Sequence, residues 1–174
     1  MPINLELKIK LDSFTEIKSL LKKINAEQIG LLRQKDIYYK SSSGLLKLRV
    51  ENGGQSIIKY LRDEKSKDRF SNFEVIHFKD GEGEKFFNDL LKIEAVVEKK
   101  RLLFMFNNTR VHLDSVKNLG NFLELETLVL FGKLDAQKRF KEINSLLKLE
   151  KYQQIKMSYR DLIMESKKND TDKK

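Results

Sequence analysis

The chain has 174 residues, 40% of them hydrophobic, with one proline, eight glycines and no cysteine. This composition excludes collagen-like and low-complexity chains, disulfide frameworks and thiolate metal sites, and the length suits about one domain. The net charge of +9, from 35 Lys and Arg against 26 Asp and Glu, points to an anionic partner: nucleic acid, a membrane surface or a phosphorylated ligand.

In chain order, Ile3 to Leu11 alternates apolar residues with Asn4, Glu6, Lys8 and Lys10, which predicts a strand with one ionic face. Ser13 with Glu16 three residues on predicts a capping box, and Phe14, Ile17, Leu20, Leu21 and Ile24 form the apolar stripe of the helix it opens. Residues 29–40 are extended and carry Gln34, Asp36, Tyr38 and Tyr39; Ser41 to Gly44 turns. Leu45 to Val50 and Gln55 to Arg62 are strands joined by Asn52-Gly53-Gly54, a strong hairpin signal. Asp63 to Asp68 is a charged loop, Arg69 to Phe78 a strand, and Asp80 to Gly83 a break. A second helix runs from about Glu84 to Lys92 with Phe86, Phe87, Leu90 and Leu91 inward. Strands follow at 95–106, 109–114 and 121–131, the first two joined by Asn107-Asn108. Asp135 caps a third helix reaching Leu147, with Phe140, Ile143, Leu146 and Leu147 inward, and a short helix covers Tyr159 to Met164.

The domain therefore spans 1–164, and the polar stretch 165–174 reads as a disordered tail. No apolar run approaches the roughly 18 residues of a membrane span. The chain enters its first strand with no signal-peptide core, so a cytoplasmic protein with no membrane partner is expected.

Charge is sorted among the strands. Acids stand in the first and last (Glu6, then Asp114, Glu124 and Glu126), and basic residues fill the middle: Lys47, Arg49, Lys59, Lys99 and Arg101. Arg110, His112 and Asp114 alternate with Val111 and Leu113. A sheet with one wet face would explain any single strand. The set as a whole fits a closed barrel better, with apolar residues outward under the helices and charge lining the interior. Buried charge needs compensation. Carboxylates holding a divalent cation, and Lys and Arg holding a polyphosphate, would compensate one another.

The residues resemble the CYTH superfamily, the triphosphate tunnel metalloenzymes, closest to class IV adenylyl cyclase-like proteins. Asn4-Leu5-Glu6-Leu7-Lys8 is similar to its Glu-x-Glu-x-Lys signature, with an amide at the first acid. Gln34-Lys35-Asp36-Ile37-Tyr38-Tyr39 and Leu46-Lys47-Leu48-Arg49 resemble the next two segments, and Ser158-Tyr159-Arg160-Asp161-Leu162 the closing one. The specific match is Asp114 to Glu126, which resembles Asp-x-Val-x-x-Leu-Gly-x-Phe-x-Glu-x-Glu.

The resemblance implies an α+β fold built on a closed antiparallel β-barrel of about eight strands, a triphosphate tunnel, with helices packed outside. It implies Mg²⁺ or Mn²⁺ at Glu6, Asp114, Glu124 and Glu126. It implies triphosphate binding by Lys8, Lys47, Arg49, Lys59, Lys99, Arg101 and Arg110, and it makes a homodimer an expectation. No general base is assigned, and His112 reads as a structural strand residue. Asn4 brings no charge to a metal, and no substitute ligand is evident beside it in the sequence.

Three activities follow. The first is conversion of ATP to cyclic AMP and pyrophosphate; the second is hydrolysis of inorganic, nucleoside or thiamine triphosphate. The third is a non-catalytic polyphosphate or nucleic-acid module, against which the retained acids count. Phe70, Phe73 and Tyr60 could stack on a base but read as core.

Overall fold

Alternation of period two gives nearly every strand an apolar and a polar face, and closing the sheet lets helices cover the first while the second turns inward. The computed structural model describes residues 2–62, 70–78 and 82–171. The expected loop Asp63 to Asp68, half of the expected break at Asp80 to Gly83, and residues 172–174 lie outside the described residues. The elements run β1 (Ile3–Leu11), α1 (Thr15–Lys23), β2 (Glu27–Tyr39), β3 (Leu45–Glu51), β4 (Gly54–Arg62) and β5 (Phe70–Phe78). They continue with α2 (Gly83–Leu90), β6 (Ile93–Phe106), β7 (Thr109–Val116), β8 (Gly120–Leu128), α3 (Lys133–Leu146), a 3₁₀ turn (Leu149–Lys151) and α4 (Tyr159–Thr171). The strands form a closed barrel in the order β1-β5-β4-β3-β2-β6-β7-β8, every pair antiparallel. The expected fold class is therefore the observed one. No helix is long and apolar enough to cross a membrane among the described residues.

Both hairpin signals act as their chemistry requires. Asn52 and Gly53 have φ of 49° and 84°, and Asn107 and Asn108 have φ of 45° and 56°. Two successive left-handed residues match the right-handed twist of the strands they join.

Outside the barrel, Leu7, Ile9, Leu11, Val111, Leu113, Leu123 and Leu125 meet Ile17 and Leu21 of α1, Ile143 of α3, and Leu147. Burying one such side chain stabilises the fold by about 1.5–3 kcal/mol. A charge at Leu125, which is fully buried, would break this layer. A smaller layer packs Phe87 of α2 and Leu91 against Ile37, Tyr39 and Leu48.

Several local expectations change. Ser13 makes no capping box: its hydroxyl accepts the N–H of Thr15 at 3.2 Å, and Glu16 instead pairs with Lys151 at 2.9 Å. Asp135 is not a cap, because α3 starts two residues earlier after Gly132 at φ 95°; its carboxylate takes Arg139 at 2.7 Å. Phe86, Leu90 and Leu146 are exposed rather than inward, because Phe87, Leu91 and Leu147, one residue on and about 100° round each helix, take the positions facing the barrel. Strand β8 stops at Leu128, leaving Phe131 in solvent. Helix α4 continues past Met164 to Thr171, through most of the stretch read as tail.

That last helix also positions the site. Among the described residues, β1 pairs with β5 at Ile3, Asn4 and Leu5. The segment before α4 runs beside β1, with the N–H of Ile155 on the Lys8 carbonyl at 2.8 Å. α4 then stops one end of the barrel. Its Tyr159 and Ile163 pack on Tyr38, Ala95, Val97, Val116 and Phe122. The register places these five on the inner face: Tyr38 opposes Ala95, Asp36 opposes Val97, Lys99 opposes Val116 and Asp114 opposes Phe122.

Candidate functional site

Inside the barrel, the residues that alternate with the apolar layer converge on two connected spaces. The inner chamber, next to α4, is lined by Glu6, Lys8, Lys47, Arg49, Lys99, Arg101, Glu124 and Glu126, with Tyr38, Tyr60, Ser158 and Tyr159. A vestibule of about 380 Å³ opens beyond it, lined by Asn4, Gln34, Ile58, Phe73, Arg110, His112 and others. Arg49, Tyr60, Arg101 and Glu126 line both.

Most of the expected site residues are thus gathered on one wall system. Lys59 is not. Its neighbours Ile58 and Tyr60 face inward, so strand alternation sends Lys59 to the outer face, opposite Glu74 of β5. Asp114 sits behind the chamber with no exposure. Its two oxygens take Arg101 Nε at 2.7 Å, Arg101 Nη2 at 2.6 Å and the Tyr159 hydroxyl at 3.0 Å. Here it orients Arg101, whose Nη2 also reaches Glu124 at 2.6 Å.

A second buried hub centres on Asp36, which sequence reasoning quoted but gave no role. Its fully buried carboxylate accepts Lys47 Nζ and Lys99 Nζ at 2.8 Å each, and Arg49 Nε and Nη2 at 2.8 and 2.9 Å. Three cations from β3 and β6 are thereby held side by side facing the chamber. Burial pushes the Asp36 carboxyl up, but Arg49, Lys47 and Lys99 overcome it and hold it well below the usual range. Burial lowers Lys47 and Lys99 to about 8, and the neighbouring guanidiniums add to that.

The acidic side is built by β1, β7 and β8. In register, Glu6 lies opposite Glu126 and Lys8 opposite Glu124; across the other edge of β8, Arg110 lies opposite Glu126 and His112 opposite Glu124. Like charges directly opposite are destabilising unless a cation intervenes. Glu6 accepts the Ser71 hydroxyl. Lys8 Nζ stands 3.3 Å from Glu124, donates to the Met157 carbonyl at 3.0 Å and lies 4.0 Å above the Tyr159 ring. Arg110 pairs with Glu126 at 3.0 Å. Burial raises the Glu124 carboxyl, but Lys8, His112 and Arg101 hold it well below the usual range; His112, Arg110 and Arg101 bring Glu126 to about 2.

Both glutamates are therefore ionised across the neutral range. Glu124 and Glu126, with the ring of His112, place one donor atom each within 4.8 Å of one another. This donor set fits a divalent cation. Among the described residues, six cationic side chains (Lys8, Lys47, Arg49, Lys99, Arg101, Arg110) face six carboxylates (Glu6, Asp36, Glu51, Asp114, Glu124, Glu126). So near a balance leaves little surplus for a polyanion, which a metal would supply.

Sequence reasoning missed Asp36 as the hub, Tyr159 as the partner of Asp114, and Tyr60 and Phe73 as tunnel wall. The two rings stand 6.4 Å apart and line the vestibule rather than a core. The sign for Asp36 was its period-two spacing with Gln34 and Tyr38, which puts all three on the ionic face.

The CYTH domain model matches residues 2–159. The chain belongs to the CYTH family. Among solved structures, PH1012 from Pyrococcus horikoshii OT3 is 25% identical, superposes with a TM-score of 0.80, and aligns over 91% of this chain and 98% of its own. A Vibrio parahaemolyticus protein described as a candidate adenylate cyclase shares the fold at 16% identity and TM-score 0.71, over 93% and 98%. HpAC1 from Hippeastrum, described as having a dominant triphosphatase activity, does so at 8% identity and TM-score 0.72, over 95% and 96%. No curated protein matches this CYTH chain in sequence.

Proposed function

We propose that this CYTH domain is a divalent-metal-dependent enzyme that opens the α–β phosphoanhydride bond of ATP, forming cyclic AMP and pyrophosphate. The observation that carries this reading is the position of the acids. Glu124 lines the inner chamber, His112 the vestibule, and Glu126 both, so a cation held there stands at their junction. Phosphate inward of the metal would then meet Lys47, Arg49 and Lys99 in a chamber of about 30 Å³, which would have to widen to hold a leaving pyrophosphate. The nucleoside would lie in the vestibule, whose volume falls in the range of small-molecule pockets.

Arg49 and Arg101 would hold phosphate oxygens through their planar forks, and Lys47 and Lys99 as point charges. A bound cation would neutralise charge on the α-phosphate. In the reaction the ribose 3′-oxygen would bond to the α-phosphorus and release its proton to solvent, while the bond from the α-phosphorus to the α–β bridging oxygen breaks and pyrophosphate leaves with that oxygen. The protein contributes mainly by position and by fixed charge, because Asp36 and Asp114 hold the cations in place before substrate arrives.

Phosphorus NMR with ATP, and separately with inorganic triphosphate, in Mg²⁺ and in Mn²⁺ tests the proposal. Pyrophosphate with a cyclic-nucleotide resonance is the expected result. Orthophosphate release instead would overturn it in favour of the triphosphatase activity described for HpAC1. Line broadening with no turnover would leave a binding tunnel.

A further inference from the structure

His112 has two features that a structural strand residue does not need. It is 2% exposed, and its Nδ1 has no hydrogen-bond partner. That nitrogen lies 3.7 Å from Glu126 Oε1 and 3.9 Å from Glu124 Oε2. Both gaps are too long for hydrogen bonds, and a buried polar atom left unmatched is costly. Metal–nitrogen and metal–oxygen bonds of about 2.0–2.2 Å would bridge both gaps with small side-chain shifts.

A second orphan faces the same cavity. Asn4 Oδ1 is buried without a partner, on the residue two positions before Glu6, the cross-strand neighbour of Glu126. The amide offers a neutral oxygen where an acid would bring charge.

We propose that His112 is a metal ligand, completing with Glu124 and Glu126 a one-nitrogen, two-oxygen site for a first-row transition-metal dication of the Mn²⁺, Co²⁺ or Zn²⁺ class. The imidazole supplies the donor strength lost at Asn4. Mg²⁺ favours all-oxygen octahedra, whereas imidazole suits the transition metals. Arg101 and Arg110 keep Glu124 and Glu126 oriented from outside the set. This inference rests on the metal–phosphate reading of the tunnel and specifies which metal it selects.

The test is calorimetry of the full metal-free chain with Co²⁺ and with Mg²⁺. Wild type should bind Co²⁺ at least about tenfold tighter than Mg²⁺, and His112→Gln should remove that preference by weakening Co²⁺ far more than Mg²⁺. A Co²⁺ preference retained in His112→Gln would overturn the proposal. Glu124→Gln should weaken both cations. If it weakens neither, the metal reading of the tunnel fails as well, which separates the two failures. Should His112→Gln not fold, ring-¹⁵N NMR of the wild type decides. The chain has only two histidines, and His77→Gln assigns the other signal. Zn²⁺ should shift Nδ1 of His112; an unmoved resonance would overturn the assignment.

Discussion

Asp36 and Glu126 are both carboxylates on the inner face of the barrel, yet their surroundings differ. Asp36 is closed off, with every oxygen taken by a cation that belongs to the chain. Glu126 pairs with one guanidinium, faces a second glutamate across the strand pair, and stands near a ring nitrogen that bonds to nothing. The first region is complete without a ligand; its carboxylate serves to hold cations in a row. The second leaves a buried ring nitrogen unmatched, which the proposed cation would satisfy. Buried charge in one tunnel thus divides into a preorganised half and a half that waits, the arrangement that electrostatic catalysis of phosphate chemistry requires.

The largest expected effect falls on the waiting half. Glu124→Gln should lower turnover by roughly 100-fold or more, while Lys10→Ala, at an exposed position, should stay within a few-fold of wild type. Equal rates in the two variants would remove Glu124 from the chemistry. The preorganised half should show its role in stability. Asp36→Asn keeps the shape but strips three cations of their charged partner, so denaturant unfolding should show a loss of about 3–5 kcal/mol. A loss under half of that would mean that water already shields the cluster.

A pH titration separates binding from folding in that same half. Lys47 and Lys99 ionise near 8 in the folded chain against an ordinary 10.5. Above about 8 the folded state sheds protons that the unfolded state keeps, so these two lysines make stability rise with pH up to their ordinary value. Triphosphate affinity should fall over the same window, as the chamber loses positive charge. Binding and melting measured from pH 7 to 10 should therefore move in opposite directions; parallel curves would break the assignment. The smallest effect is expected outside the barrel. Lys59→Ala should alter stability by no more than about 0.5 kcal/mol and leave ligand affinity as it was.

Much of this was legible in the chain. Period-two alternation is a strong signal, and it placed Glu6, Lys8, Lys47, Arg49, Lys99, Arg101, Glu124 and Glu126 on one surface. It also held the answer for Lys59: residues one apart cannot share a face, and Tyr60 is the inward one. What alternation could not reveal was pairing across the barrel. Asp36 meets Lys99 through a strand pair between segments more than 60 residues apart, and Tyr159 reaches Asp114 from a helix that follows the barrel. Such contacts depend on register and on how α4 enters. The helix starts misread at Ser13 and Asp135 have local causes: the Ser13 hydroxyl took the N–H of Thr15, and α3 begins after Gly132, before Asp135.

The stopper formed by Tyr159 and Ile163 has a kinetic consequence. Among the described residues the barrel is blocked at the stopper's end, so whatever enters deepest from the other comes out last. Under the proposed reaction, with ATP bound phosphates-first, the cyclic nucleotide would depart before pyrophosphate. Pyrophosphate should then inhibit competitively against ATP, and cyclic AMP noncompetitively. Shortening both side chains of the stopper should scramble that order before it slows the reaction.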